Sequence, residues 1–214
     1  MKKIFYILTL IPFLALAQSQ DQNYIKTTTY KKASTQGTVD VTNPADAAVQ
    51  VSYFDGLGRP IQQIAHKQSS SGNDIITHIE YDAFGRQIKD YLPFKYNNQN
   101  IEFVDPATVG SELNSFYSSY NGGTMFPYSE KELESSPLNR VLRQAAPGDW
   151  TMNSGKEIKF DYKTNTDNDE VKFFKVTTTW NATSGCFTPV ISSPQPHYPA
   201  NTLYKTITKD ENWT

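Results

Sequence analysis

Val49-Gln50-Val51-Ser52-Tyr53-Phe54-Asp55-Gly56-Leu57-Gly58-Arg59 is answered 27 residues later by Ile79-Glu80-Tyr81-Asp82-Ala83-Phe84-Gly85-Arg86. Both stretches carry an aromatic-Asp pair that leads through two residues into Gly-Arg. Self-similarity at a fixed period is the mark of one small structural unit used repeatedly. Val49, Val51 and Tyr53 alternate with Gln50 and Ser52, a period of two that sets the apolar residues on one face of a strand. The Asp side chain can hydrogen-bond the turn backbone, and Gly58 and Gly85 tolerate positive φ there. Ile61 and Ile64 resume the apolar pattern after Arg59. The reading is a β-hairpin, repeated with Ile75–Tyr81 and Arg86–Leu92 as its second pair of strands.

A degenerate third copy is expected at Ser136-Pro137-Leu138-Asn139-Arg140-Val141-Leu142. It places Leu138, Arg140 and Leu142 where the first copy has Leu57, Arg59 and Ile61. Asn139 replaces the Gly before Arg, and Asn is among the residues most tolerant of left-handed backbone. The expected fold is mainly β: antiparallel hairpin repeats forming an open β-strip, with one or two short helices in an insertion at 97–134. One helix is expected within Pro106–Tyr120 and a turn or two at Ser129–Glu134. The repeats, with that insertion, occupy 49–150. A leader with short strands (Tyr24–Lys32 and Thr38–Thr42) occupies 18–48. Further hairpins occupy 151–214, with strands at Glu157–Tyr162 and Val171–Trp180 joined by a long polar hairpin loop, Lys163–Glu170. An extended Pro-rich segment (Phe187–Ala200) and a last strand (Thr202–Lys209) follow. The chain reads as cut in mid-hairpin at Thr214.

The candidate functional residues are those of the repeat: Phe54, Asp55, Gly58, Arg59, Tyr81, Asp82, Gly85, Arg86, Asn139 and Arg140. Asp and Gly shape the turn, while the aromatic and the Leu57 or Phe84 positions are assigned to packing. Arg59 and Arg86 pair with Asp55 and Asp82, or with a neighbour's carbonyls, a role that suits a planar five-donor guanidinium better than Lys. The alternative is a ladder of Arg reading an anionic ligand.

Lys2 and Lys3, the apolar run Ile4–Leu14 and Ala15-Leu16-Ala17 form the pattern of a cleaved secretory signal peptide over 1–17. The apolar run is shorter than the roughly 20 residues that a spanning helix needs. The mature chain from Gln18 loses two of 20 basic side chains and keeps 22 acidic ones. That mildly acidic balance argues against nucleic acid as a partner, which needs clustered Lys and Arg. No later stretch is apolar enough to cross a bilayer. Cys186 is the one cysteine, so no internal disulfide forms. A buried inert thiol or an intermolecular bridge are its two readings.

Aromatic-Asp-x-x-Gly-Arg recurring every twenty-odd residues resembles the YD repeats of the Rhs (rearrangement hotspot) family. Ser136–Gly148, with Trp150 after it, is similar to the domain that precedes YD repeats in large secreted Rhs-like proteins of Gram-negative envelopes. The resemblance implies a β-strip of the kind that spirals into a hollow shell around a toxin or acts at a cell surface. Two clear repeats are too few to enclose anything. No Rhs core segment or toxin is present, so toxin activity does not carry over.

His66, His78 and His197 lack metal-ligand spacing. Asp167-Asn168-Asp169-Glu170 lacks the Gly and distal Glu of a calcium loop and reads as a solvated loop. No nucleophile elbow, phosphate loop or dinucleotide fingerprint occurs. No enzyme activity, metal or cofactor is therefore expected. The functional expectation is an exported, non-catalytic structural module: the N-terminal part of a YD-repeat shell or surface protein used in toxin delivery or cell-surface interaction. It would reside in the periplasm, at the cell surface or outside. Its partners would be further YD repeats of a longer chain, or a cell-surface protein or glycan. The alternative is a stand-alone carbohydrate-binding or adhesion module, whose exposed aromatics stack on sugars rather than on cross-strand neighbours.

Overall fold

The computed structural model describes residues 22–33, 39–120 and 123–213. The signal sequence over 1–17, residues 18–21 of the leader, Thr38 of the expected leader strand and the chain end at Thr214 lie outside them. The described residues are mainly β, in open antiparallel sheets. They form two compact units: residues up to Ser129 with Pro147–Asp149, and Glu130–Ala146 with Trp150 onward. The third copy of the repeat, at 136–142, belongs to the second unit.

In the first unit, β1 (Asn23–Tyr30), β2 (Ala47–Phe54), β3 (Pro60–Ala65) and β4 (Asp74–His78) pair in sequence order. A short strand β5 (Lys89–Tyr91) follows, and β6 (Phe94–Tyr96) then closes the sheet against β4. The alternation read in β2 is real: Ala47, Val49, Val51 and Tyr53 are buried and Gln50 is exposed. Register carries this pattern across the sheet. Val51 lies opposite Ile64, Ile64 opposite Ile76, and Ile76 opposite Phe94, and all four are buried. Each such side chain contributes roughly 1.5–3 kcal/mol of burial free energy.

The helix α1 (Pro106–Ser119) covers this row. Asp105 caps it by accepting from the Ala107 N–H at 2.9 Å, and Pro106 starts it where no N–H partner is needed. Val109 and Leu113, one turn apart, are its buried side chains. Asp105→Ala should therefore lower stability by about 1 kcal/mol, read as a shifted urea midpoint at unchanged slope.

Long-range polar ties seat the segment before α1. The buried Gln62 amide docks on Val104 like a strand neighbour, donating to its C=O at 2.9 Å and accepting from its N–H at 3.0 Å. The Tyr53 hydroxyl donates to the Ile101 C=O at 2.7 Å. The buried Asp74 carboxylate accepts from the His66 ring Nδ1 (2.9 Å), the Lys67 N–H (2.8 Å) and the Ile101 N–H (3.2 Å).

In the second unit, β7 (Tyr128–Leu133, whose first two residues belong to the first unit), β8 (Val141–Ala145), β9 (Ile158–Thr164) and β12 (Tyr204–Lys209) are consecutive neighbours in one sheet. The strands β10 (Lys175–Asn181) and β11 (Cys186–Ser192) form a separate two-stranded ribbon. Asn165 is buried and ties the loop before β12. It accepts from Thr202 N–H (3.0 Å) and Leu203 N–H (2.8 Å) and donates to the Pro199 C=O (2.9 Å).

Several expectations are corrected. Ser129–Glu134 is not helical; β8 recruits it into β7, with a bulge between Glu132 and Leu133. Val39–Thr42 is turn rather than strand, because the Asp40 carboxylate takes both the Thr42 N–H (2.9 Å) and its hydroxyl (2.7 Å). The strand after Arg86 does not return along β4. Residues 86–88 are irregular, and β4 takes β6 as its partner. Likewise β9 pairs with β8 and β12, while β10 pairs with β11, so 163–170 is not a hairpin loop. Phe187–Ser192 lies in β11 rather than in a polyproline segment; Pro189 is accommodated because a two-stranded ribbon consists of edges. Cys186 is exposed, not buried.

Candidate functional site

The first two corners are built alike, hydrogen bond for hydrogen bond. At the first, Gly58 N–H donates to the Asp55 C=O (3.0 Å) and Asp55 N–H to the Arg59 C=O (2.9 Å). Asp55 Oδ1 accepts from the Leu57 and Arg59 N–H groups, each at 2.9 Å, and Oδ2 from Arg59 Nε at 2.8 Å. At the second, Gly85 N–H donates to the Asp82 C=O and Asp82 N–H to the Arg86 C=O, both at 2.9 Å. Asp82 Oδ1 accepts from Phe84 and Arg86 N–H at 2.9 Å, and Oδ2 from Arg86 Nε at 2.8 Å. Gly58 and Gly85 have φ of +78° and +75°, the left-handed region that only Gly adopts without strain. Arg thus pairs with the Asp of its own turn. Phe54, which precedes Asp55, ends β2, where the register against β3 shifts.

The third corner reaches the same result with different residues. Asn139 takes φ +52° and its N–H donates to the Ser136 C=O at 3.1 Å. The Ser136 hydroxyl accepts from Leu138 N–H (3.2 Å) and donates to Glu134 (2.7 Å). Glu134 takes the Arg140 guanidinium through Nε at 3.0 Å and through a terminal nitrogen at 2.8 Å. The work of one Asp is split between a longer acid two residues upstream and a hydroxyl.

The first and third corners also pass a contact forward. The Arg59 guanidinium lies over the Tyr81 ring at 4.4 Å, and the Tyr81 hydroxyl donates to the Pro60 C=O at 2.9 Å. A Cβ on Gly85 would stand 2.8 Å from the Arg59 guanidinium, so the first corner rests on the backbone of the second. In the other unit Arg140 lies over Tyr162 at 4.6 Å, and the Tyr162 hydroxyl donates to the Val141 C=O at 3.0 Å. Tyr81 follows Arg59 by 22 residues and Tyr162 follows Arg140 by 22. That equal spacing was the signal in the sequence for Tyr162, which the motif alone does not single out. Glu134 had no such signal, since its distance from Arg140 differs from the Asp–Arg spacing. Arg86 has no Tyr at that distance, and its guanidinium lies over Phe84 at 5.1 Å.

Leu57, Phe84 and Leu138 do not pack into a core, contrary to the role expected of the first two. They are 79%, 83% and 72% exposed. Each sits at the tip of its turn, where the backbone N–H is drawn in and the side chain is sent outward.

The corners hold their acids ionised. The Arg59 N–H, then its guanidinium and the Leu57 N–H, lower the Asp55 pKa against a burial effect that raises it. Arg86 and Phe84 do the same for Asp82. At Glu134 the Arg140 guanidinium, then the Ser136 hydroxyl, pull the pKa down to about 2. Groups depressed on folding stabilise the native state above their unfolded pKa of about 4, and that contribution is lost as pH falls through the folded value. Thermal melts from neutral pH downward should show stability falling below about pH 4. Glu134→Gln should flatten the part of that fall that extends toward pH 2. A variant that keeps the wild-type acid profile would show that the Glu134 pair is idle.

Among the described residues no group of three His, Cys, Asp or Glu is placed to hold a metal ion. His66 serves Asp74. His78 lies in β4 opposite Gln62 with its ring against Tyr91 at 5.2 Å, and burial lowers its pKa. Asp169 caps its own turn and pairs with Lys205 at 2.8 Å. Among the described residues no helix is long and apolar enough to cross a membrane.

The class that fold and site define is a protein of open antiparallel β-sheets with three described corners locked by acid–Arg pairs. The chain belongs to the family Domain of unknown function (DUF6443), which matches residues 26–164. That span runs from β1 to the end of β9 and takes in all three corners and Tyr162. No curated protein matches the chain.

Proposed function

We propose that this chain is an exported, non-catalytic structural module, the N-terminal part of a YD-repeat shell or surface protein of the Rhs type. The observation that carries the reading is the seat of Arg59 on Tyr81 and Gly85 of the following corner. A turn that locks itself and also docks on the next turn is the unit from which a strip is assembled, since single hairpins are marginal and stacked ones share a face. The second unit adds support. Ala145 is its one fully buried apolar residue among the described residues, as suits a strip whose faces are covered by more strip. The positively charged, then apolar, then small-residue order of Lys2–Ala17 supports export.

Two measurements test this. Expressed in a Gram-negative host, the protein should be recovered outside the cytoplasm with an intact mass lacking Met1–Ala17. The reading frame after Thr214 should continue with aromatic-Asp-x-x-Gly-Arg corners, each Arg followed by Tyr at the 22-residue spacing. Retention at full mass would remove export, and a frame without further corners, even as a frameshifted remnant, would remove the strip.

A further inference from the structure

The ribbon of β10 and β11 has no buried residue. All residues of its two seven-residue strands are exposed, yet the two strands run in unbroken antiparallel register from Lys175↔Ser192 to Asn181↔Cys186. Lone two-stranded ribbons are marginal in water, so a regular one with an apolar face points to a cover. Period two places Val176, Thr178 and Trp180 on one face, with Ile191, Pro189 and Phe187 directly opposite them. Trp180 and Phe187 already meet edge to face at 5.1 Å. Val176, Trp180, Phe187 and Ile191 are 61%, 55%, 64% and 70% exposed. Lys175 is the only charged residue of either strand.

We infer that this face is a self-association surface, and that its occupant is the same face of a second copy of this chain. The pattern along the ribbon is self-complementary. An aromatic pair stands at one end, an aliphatic pair at the other, and the smaller Thr178 and Pro189 between them. A two-fold axis through that middle row, in the plane of the interface and across the strands, lays Trp180 on the partner's Val176 and Phe187 on the partner's Ile191. Thr178 then faces its own symmetry mate. Large side chains thus meet smaller ones, as an isologous contact requires. No like charges are brought together across the face. Aromatics offer roughly 150–250 Å² each, and with the exposures above one face supplies on the order of 500 Å². The two faces together reach about 1,000 Å², the lower bound of a specific interface. The dimer is expected to be reversible rather than obligate. The inference does not depend on the export or strip reading.

The test is sedimentation velocity of the full mature chain over a concentration series reaching about 100 µM, where even a dimer with a Kd of about 10 µM is populated. Wild type is expected to approach twice the monomer mass. Trp180→Ser combined with Ile191→Ser should weaken association at least about tenfold, since buried aromatic anchors dominate such interfaces. Circular dichroism should be unchanged, because neither side chain is in a core. On a Cys186→Ser background, a short bis-maleimide should join Thr178→Cys chains to each other and leave Thr177→Cys chains, whose thiol lies on the opposite face, unjoined. A wild type that stays monomeric across the series overturns the inference. So does a dimer that survives the double substitution or is joined through position 177.

Discussion

Asp74→Ala is expected to destabilise the first unit by on the order of 4 kcal/mol, the largest effect of any single polar truncation here. The carboxylate is 2% exposed and does two jobs at once. It accepts from Lys67 N–H and from Ile101 N–H, and those residues hold φ of +52° and +54°. Left-handed backbone is unfavourable for Lys and more so for β-branched Ile. Each such residue stores about 1–3 kcal/mol and persists only where its surroundings hold it. With Asp74 gone, both N–H groups and the His66 ring lose their acceptor while the strain remains. Asp74→Asn keeps one oxygen and the shape, so it should recover part of the loss. Denaturant melts of the two variants against wild type provide the measurement. An Ala variant within about 1 kcal/mol of wild type would show that the loops hold those conformations without help.

The second large effect separates two glycines that look equivalent in the sequence. Gly58→Ala and Gly85→Ala each force Ala into left-handed backbone, at a cost of about 1–2 kcal/mol. At Gly58 the new Cβ meets open space, whereas at Gly85 it stands 2.8 Å from the Arg59 guanidinium. An exposed Arg would swing away cheaply. Arg59 is held by Asp55, at 2.7 Å from a terminal nitrogen, and by the Tyr81 ring, so yielding means leaving both. Gly85→Ala should therefore cost roughly 1 kcal/mol more than Gly58→Ala, the scale of one cation–π contact and a charge-assisted bond at a partly exposed site. On an Arg59→Ala background the difference should vanish. Equal losses in the wild-type background would mean that the corners form side by side without resting on one another.

The sequence by itself determined the corners, because their chemistry is local. In the first two, Asp and Arg are four residues apart, a Gly sits before the Arg, and every bond that shapes the turn closes within that span. It also determined the alternation in β2, the helix started by Asp105-Pro106, and the β character of the whole. Tertiary structure decided which strands meet. Nothing near Arg86 says that β4 will take β6, and nothing in Ser129–Glu134 says that β8 will outweigh its weak helical preference. Nothing local seats Gln62 on Val104, 42 residues away, or lets Glu134 with Ser136 replace an Asp. Strand pairing and buried polar ties depend on what is brought close by the rest of the chain. A strand's own residues fix which face is apolar, whereas its neighbour is chosen by the free energy of covering that face.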